Sequence, residues 1–300
     1  MWQMENAREQ TVKLVTFLQE GKYRPGALVA KDGQEAIVDL LQADASLPQS
    51  VRAMLEAGPA SLERAAVAAQ QSRCLIERSD VKLSAPIPNP HKILCIGLNY
   101  ADHAAESGQP LPDYPIVFSK YSNTLIGSGD AIILPKVTEQ VDYEAELGFV
   151  IGKRARHVSE DDALDYVAGY LNVNDVSARD YQERVSQWTM GKSFDTFAPM
   201  GPALVTADEV PDPHNLAIRL WIGEETLQES NTRQLIFNVP RLLADISEVM
   251  TLEPGDIVST GTPPGVGAAR TPQRFLRAGE TVNIEIEKLG VLSNPIIAER

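Results

Sequence analysis

Glu144 and Glu146 lie two residues apart in the run Val141-Asp142-Tyr143-Glu144-Ala145-Glu146-Leu147-Gly148-Phe149-Val150-Ile151. Side chains alternate across a strand. Asp142, Glu144 and Glu146 therefore share one face, and Val141, Tyr143, Ala145, Leu147, Phe149 and Ile151 the other. A half-buried strand with a solvated acidic face accounts for this pattern by itself. Beyond Glu146, however, the acidic face turns apolar at Gly148 and Val150, so the strand runs into a place buried on both sides. Two neighbouring carboxylates there repel each other and cost free energy unless a cation sits between them. With no His or Cys beside them, they suit a hard cation such as Mg²⁺ or Mn²⁺. Asp175 ends an apolar strand face that begins with Leu171 and Val173. It reads either as the cap of the following turn or as a third carboxylate of the same site, with water or substrate oxygens completing about six ligands.

His103 and Glu106 stand three residues apart, on one side of a short helix, where the carboxylate can hold the imidazole. A carboxylate beside His favours its protonated form and strengthens it as a base. A surface ion pair is the plain alternative. Lys192 is flanked by small and aromatic residues in Met190-Gly191-Lys192-Ser193-Phe194. That setting suits a lysine partly buried against an anion, or one that simply reaches solvent. The Gly/Pro-rich stretch Thr260-Gly261-Thr262-Pro263-Pro264-Gly265-Val266-Gly267 offers free N–H groups and hydroxyls that could hold a carboxylate. It lacks the Gly-Lys-Ser/Thr of a phosphate-binding loop. The chain has no Gly-x-Ser-x-Gly elbow and no dinucleotide fingerprint.

The elements that must position these residues are mostly strands. Val12 to Leu18 reads as a strand, and Gly26–Ala30 with Glu35–Leu40 as a hairpin turning at Asp32-Gly33. Ser50–Glu56 and Ser61–Gln71 read as helices, the second capped by Ser61. Prolines at alternate positions from Leu83 to His91 favour an extended connector. The domain boundary is placed there, giving a small N-terminal α/β module (1–85) and a larger second domain (86–300). Lys92–Gly97 follows as a buried strand. From Ile116 onward come short strands: Ile116–Lys120, Ala131–Leu134, the acidic run, and Thr281–Ile286. Helices are expected at Ser159–Leu164, with a capping box of Ser159 and Asp162, and at Val239–Met250. The fold class is α+β.

The formal net charge of -14 argues against nucleic acid or an anionic membrane as partner. An anionic substrate must then be met by locally placed cations. Cys74 and Cys95 form no Cys-x-x-Cys and no disulfide framework, which points to a reducing compartment. No apolar run approaches membrane-spanning length, and residues 1–10 read as a loose polar extension without a signal peptide's regions. Cytoplasm is the expected location. A non-haem iron oxygenase needs two His with one carboxylate, and the four histidines (His91, His103, His157, His214) show no such spacing.

Five stretches recur in a recognisable order: Asn99-Tyr100-x-x-His103-x-x-Glu106; Asp142-Tyr143-Glu144-Ala145-Glu146-Leu147; Asn174-Asp175-Val176-Ser177-Ala178-Arg179-Asp180; Gly191-Lys192-Ser193-Phe194-Asp195-Thr196; and Thr260-Gly261-Thr262-Pro263-x-Gly265-Val266-Gly267. Over about residues 90–295, they resemble the fumarylacetoacetate hydrolase (FAH) family. The N-terminal module looks like that of the branch formed by FAH domain-containing protein 2 and its bacterial relatives. The resemblance implies a mixed β-roll, a homodimer, and one Mg²⁺ or Mn²⁺ held by Glu144, Glu146 and Asp175. It also implies a catalytic His103–Glu106 dyad on a mobile lid, with Lys192 near the substrate oxygens. Tyr100, Arg179, Gln182 and Thr262 would then border the substrate. The fourth acidic ligand of the tyrosine-pathway enzyme has no counterpart here, which favours acylpyruvase-like members. The implied substrate is a short 2-oxo or 2,4-dioxo acid, with C–C bond hydrolysis of an acylpyruvate placed first. Oxaloacetate tautomerisation or decarboxylation and 2-hydroxy-dienedioate isomerisation are alternatives on the same fold. A non-catalytic metal-binding module is the alternative of another class.

Overall fold

The computed structural model describes residues 11–31, 33–72 and 75–300. The expectations for residues 1–10, Asp32 and Cys74 lie outside these described residues. The fold is mixed α+β and dominated by sheet, as the sequence leads one to expect. Among the described residues, the largest sheet has 12 strands. Its main path runs Leu75–Glu77, Gln34–Asp39, Lys22–Lys31, Lys13–Gln19, Ala198–Thr206, Val167–Asn174, Ala145–Ile151, Ile257–Ser259, Ile93–Gly97, Ile116–Lys120. One sheet thus runs across the 85/86 division: Lys13–Gln19 pairs with Ala198–Thr206 in the register Leu14↔Leu204. A second sheet, of 5 strands, runs Glu225–Asn231, Ala217–Ile222, Thr281–Ile286, Gly290–Ala298, Ile132–Leu134.

The central strands are buried on both faces, and alternation explains which core each side chain joins. Leu147, Phe149 and Tyr170 pack with Ile218, Leu220, Ile284 and Leu292 of the second sheet. Val150, Leu171 and Val173 point the other way, into a core shared with Leu14, Met54 and Ala65 of the N-terminal part. Each fully buried Leu, Ile or Phe contributes about 1.5–3 kcal/mol. The two cores therefore clamp the strands that carry the acids.

Three local expectations are corrected. The acidic run is not one continuous strand. It breaks into Val141–Asp142 and Ala145–Ile151, while its acids are buried, in keeping with the apolar turn of that face at Gly148 and Val150. Side chains take over the ladder there: Asn174 Oδ1 accepts from Glu144 N at 3.1 Å, and Gln228 Oε1 from Ala145 N at 2.9 Å. The Pro59–Gln71 helix starts two residues before Ser61, because Pro59 is pre-set for the first helical turn. Glu160–Asp162 forms a turn, followed by a 3₁₀ helix at Ala163–Tyr166. The Ser159–Asp162 contact does form, at 2.7 Å between side chains.

Candidate active site

Strand register builds the acidic cluster. Ala145 pairs with Asn174 and Glu146 with Val173. Glu144 therefore faces Asp175, whose N–H donates to Glu144 O at 3.0 Å. Glu146 shares that face one step along the strand. Ligand atoms of Glu144, Glu146 and Asp175 all lie within 4.8 Å of one another, and all three residues are buried.

Cations line one side of this cluster. Lys192 Nζ donates to Glu144 Oε2 and to Asp175 Oδ2, each at 2.7 Å. The lysine ends the short helix Thr189–Lys192. That helix seats tightly because Gly191 has no side chain: a Cβ there would stand 2.5 Å from Gln182 N. Arg179 reaches Glu144 Oε1 at 2.7 Å, Asp142 Oδ2 at 2.8 Å and Gln182 Oε1 at 2.9 Å. Asp142 is a fully buried hub, accepting also from Gly267 N at 2.7 Å and Ala268 N at 2.9 Å.

Unequal compensation splits the two glutamates. Burial pushes the Glu144 carboxyl up, but Lys192 and Arg179 outweigh it and bring it down to about 2. Burial pushes Glu146 up as well. The charges of Asp175 and Glu144 push it further, to about 8, against opposition from Lys192 and the Ser259 hydrogen bond. Its Oε2 accepts from Ser259 Oγ at 2.5 Å and Gly261 N at 2.9 Å. An all-oxygen donor set with one carboxylate still short of positive charge fits a hard divalent cation.

A cavity of about 640 Å³ opens above the cluster. Glu144, Glu146, Asp175, Arg179, Gln182, Lys192 and Thr262 line it, and so do His103 and Glu106 at the mouth. The sequence thus picks out one site from separate segments of the chain. His103 Nδ1 lies 3.0 Å from Glu106 Oε2 on the Ala101–Glu106 helix. Glu106 is itself held by Gly265 N, at 3.0 Å to Oε1. Asp102 anchors the helix start through Ser230 Oγ at 2.6 Å. Tyr100 does not line the cavity: it is fully buried, with a hydroxyl that has no hydrogen-bond partner. Thr262 Oγ1 donates to Ala145 O at 3.0 Å and accepts from Gln228 Nε2 at 2.9 Å. Its hydroxyl proton is therefore committed to the backbone.

The sequence pattern described as "Fumarylacetoacetate (FAA) hydrolase C-terminal" matches residues 92–297. The chain belongs to the fumarylacetoacetate hydrolase family. It is similar to the Xenopus laevis protein named oxaloacetate tautomerase fahd2, mitochondrial, with 46% identity over 96% of this chain and 91% of that one. Among solved structures, it is similar to fumarylacetoacetate hydrolase from Exiguobacterium antarcticum (31% identity, TM-score 0.83, 96% of this chain and 100% of that one). It is also similar to maleylpyruvate hydrolase from Sphingobium sp. SYK-6, solved in complex with manganese(II) ion and pyruvate (32% identity, TM-score 0.78, 96% and 100%).

Two residues of this FAH-family site escape a reading of the sequence. Lys120 is buried at the end of Ile116–Lys120, where its Nζ bonds Asp175 Oδ1 and, at 2.8 Å, Val176 O. Burial pulls its pKa down while Asp175 holds it up. Gln228, 1% exposed, ties Ala145 to Thr262 and Pro263. The available signal was slight: a lysine closing an apolar strand, and a glutamine on the inner side of one.

Proposed function

We propose that this FAH-family enzyme is a divalent-metal-dependent keto–enol tautomerase of short 2-oxo acids, with oxaloacetate foremost. The observation that carries a proton-transfer reaction is one imidazole, oriented by Glu106, facing a three-carboxylate cluster across a single cavity. The near-full-length likeness to a relative named oxaloacetate tautomerase favours this reaction over acylpyruvate hydrolysis, which the sequence alone puts first.

Glu144, Glu146 and Asp175 would hold Mg²⁺ or Mn²⁺. That ion supplies positive charge that favours an anionic 2-oxo acid and acidifies its C3 hydrogen. His103 moves the proton at C3, and Glu106 fixes the orientation of its ring. Lys192 adds a second positive charge beside the developing oxyanion. Arg179 and Gln182 orient the carboxylates, and Thr262 shapes the loop bordering them. Tyr100 supports the base of the His103 helix from behind.

The test is the decay of enol-oxaloacetate absorbance with Mg²⁺, with Mn²⁺ and with chelator, run beside an acylpyruvate cleavage assay. Acceleration of enol decay that needs the metal is expected. Cleavage of the acylpyruvate faster than oxaloacetate equilibrates would replace tautomerase with hydrolase.

We further propose a homodimer, since Leu111, Tyr114, Val117 and Tyr121 are exposed along the outermost strand of the large sheet and the residues flanking it. The segments on either side of 85/86 are proposed as two modules of one working unit. A reducing compartment, the cytoplasm by default, is supported by the cysteine usage. The Xenopus laevis relative is named as mitochondrial. Among the described residues, no helix is long and apolar enough to cross a membrane.

A further inference from the structure

The cavity is larger and more one-sided than a four-carbon acid requires. Its volume of about 640 Å³ falls in the range of roughly 300–1,000 Å³ that serves drug-sized ligands. The floor is charged, but the lining also carries the apolar side chains of Ile116, Phe118, Val185, Trp188 and Val266, and two of them, Phe118 and Trp188, form an aromatic wall. The indole of Trp188 lies directly against the backbone of Gly97, where a Cβ would stand 2.2 Å from the ring. Any other residue at Gly97 would push the indole away. Trp188 meets Phe118 edge to face, with centroids 5.5 Å apart and planes at 77°. Phe118 in turn lies 5.1 Å from Lys192 Nζ. An aromatic surface therefore runs from the lysine on the floor towards the mouth.

A long diacid is the obvious rival occupant for that space. The charges disfavour it. Among the described lining residues, the cations are Arg179 and Lys192. Both are tied down at the floor by Glu144, together with Asp142 or Asp175. Away from the floor acids Glu144, Glu146 and Asp175, the charged lining residues are Glu106 and Glu183, both acidic and exposed. A carboxylate far from the floor would meet an apolar wall and two acids, losing hydration without gaining a partner. An aromatic ring would meet the edge and face of two others.

We propose that the same site tautomerises 2-oxo acids carrying an aromatic group on C3, that is arylpyruvates, with Trp188 and Phe118 as the wall that selects them. The proposal rests on the tautomerase function proposed above. The chemistry balances without an oxidant or reductant. The enol O–H proton passes to solvent and its electron pair closes the C2=O bond. As that bond closes, the C2=C3 pair takes a proton from His103 to form the C3–H bond, and solvent returns a proton to the imidazole. The wall touches only the substituent, so it bears on selection rather than on proton transfer.

The experiment follows C3 hydrogen–deuterium exchange by NMR for phenylpyruvate, oxaloacetate and a six-carbon 2-oxo diacid, with Mg²⁺ present. Wild type should exchange phenylpyruvate and oxaloacetate well above the solution rate, and the long diacid weakly. Trp188→Ala should lower the phenylpyruvate-to-oxaloacetate ratio of kcat/KM by about tenfold, the scale of a changed apolar pocket contact. Val185→Asp, at a position 61% exposed and so tolerant of a charge, should lower the same ratio if the tryptophan variant fails to fold. Oxaloacetate exchange without phenylpyruvate exchange overturns the proposal and leaves the tautomerase intact. So does a ratio unmoved in the folded variants, or a long diacid preferred over phenylpyruvate. Absence of exchange with all three acids overturns the tautomerase itself.

Discussion

The floor and the mouth of the cavity are held by opposite means. On the floor, Glu144, Glu146, Asp175, Lys120 and Lys192 are buried, and the two lysines are locked to carboxylates. At the mouth, His103 and Glu106 sit on a six-residue helix, with Glu106 exposed. Buried charges cost several kcal/mol each unless compensated, so a change on the floor disturbs fold and chemistry together. A partly solvated pair costs little to keep or to lose, so a change at the mouth should disturb chemistry alone.

The largest effect expected from this contrast is at Asp175, where both oxygens hold lysines. Asp175→Ala should lower stability by about 3–5 kcal/mol, because buried Lys120 loses its carboxylate and buried Lys192 keeps only Glu144. Turnover should also fall, by on the order of 10³-fold. Urea denaturation beside a tautomerase assay measures both. A variant of unchanged stability would show that the floor is not held by charge. Next comes His103→Ala, expected to cut turnover by roughly 10²-fold while stability stays within about 0.5 kcal/mol. A large drop in melting temperature for that variant would erase the distinction between floor and mouth.

The third prediction concerns pH. Glu146 is raised to about 8 from 4.5, through burial first and then the charges of Asp175 and Glu144. A carboxyl raised on folding favours the folded state at low pH and loses that advantage as pH climbs from its unfolded value through its folded one. In chelator, the melting temperature should therefore decline between about pH 4.5 and 8 through this group. Added Mg²⁺ should reverse the decline, and Glu146→Gln should flatten it. Glu144, lowered to about 2 once Lys192 and Arg179 overcome its burial, acts in the opposite sense. Its contribution is present above about pH 4.5 and is lost as pH falls towards 2. The smallest effect is expected for Glu106→Gln, which leaves His103 in place but weakens its orientation. Turnover should drop by roughly tenfold, with the metal affinity from calorimetry unaltered.

The same contrast separates what could be read from the sequence. The acids and the His103–Glu106 spacing were legible because their meaning is local: alternation along a strand and one helical turn. Burial of the acidic face could be inferred from Gly148 and Val150, where the second face turns apolar. Lys120 was not legible, since its carboxylate lies 55 residues away in the chain. Asp142 was visible as an acid but not as a hub, because its partners Gly267 and Ala268 belong to a distant loop. The break at Tyr143 and Glu144 was hidden for the same reason. Strand patterning cannot announce that Asn174 and Gln228 side chains will take two backbone N–H groups. The Ser159 helix start was overcalled because capping residues also serve turns, and the Ser61 start was set two residues late because Pro59 opens that helix.

The strand Ile116–Lys120 closes the large sheet and has one neighbour, Ile93–Gly97, whereas Ala145–Ile151 and Val167–Asn174 are flanked on both sides. Opening free energies rise from such margins towards the middle of a sheet. A single chain, taken without a partner on that edge, therefore has a built-in order of coming apart. Its margin carries Phe118 and Lys120, and its middle carries the acids. When the margin frays, Asp175 loses the ammonium of Lys120 and the cavity loses an aromatic panel, while all three carboxylates stay in register. The earliest casualty of heat or denaturant should be the counter-charge and the fit around the substituent, with the acidic frame the last part of the site to go.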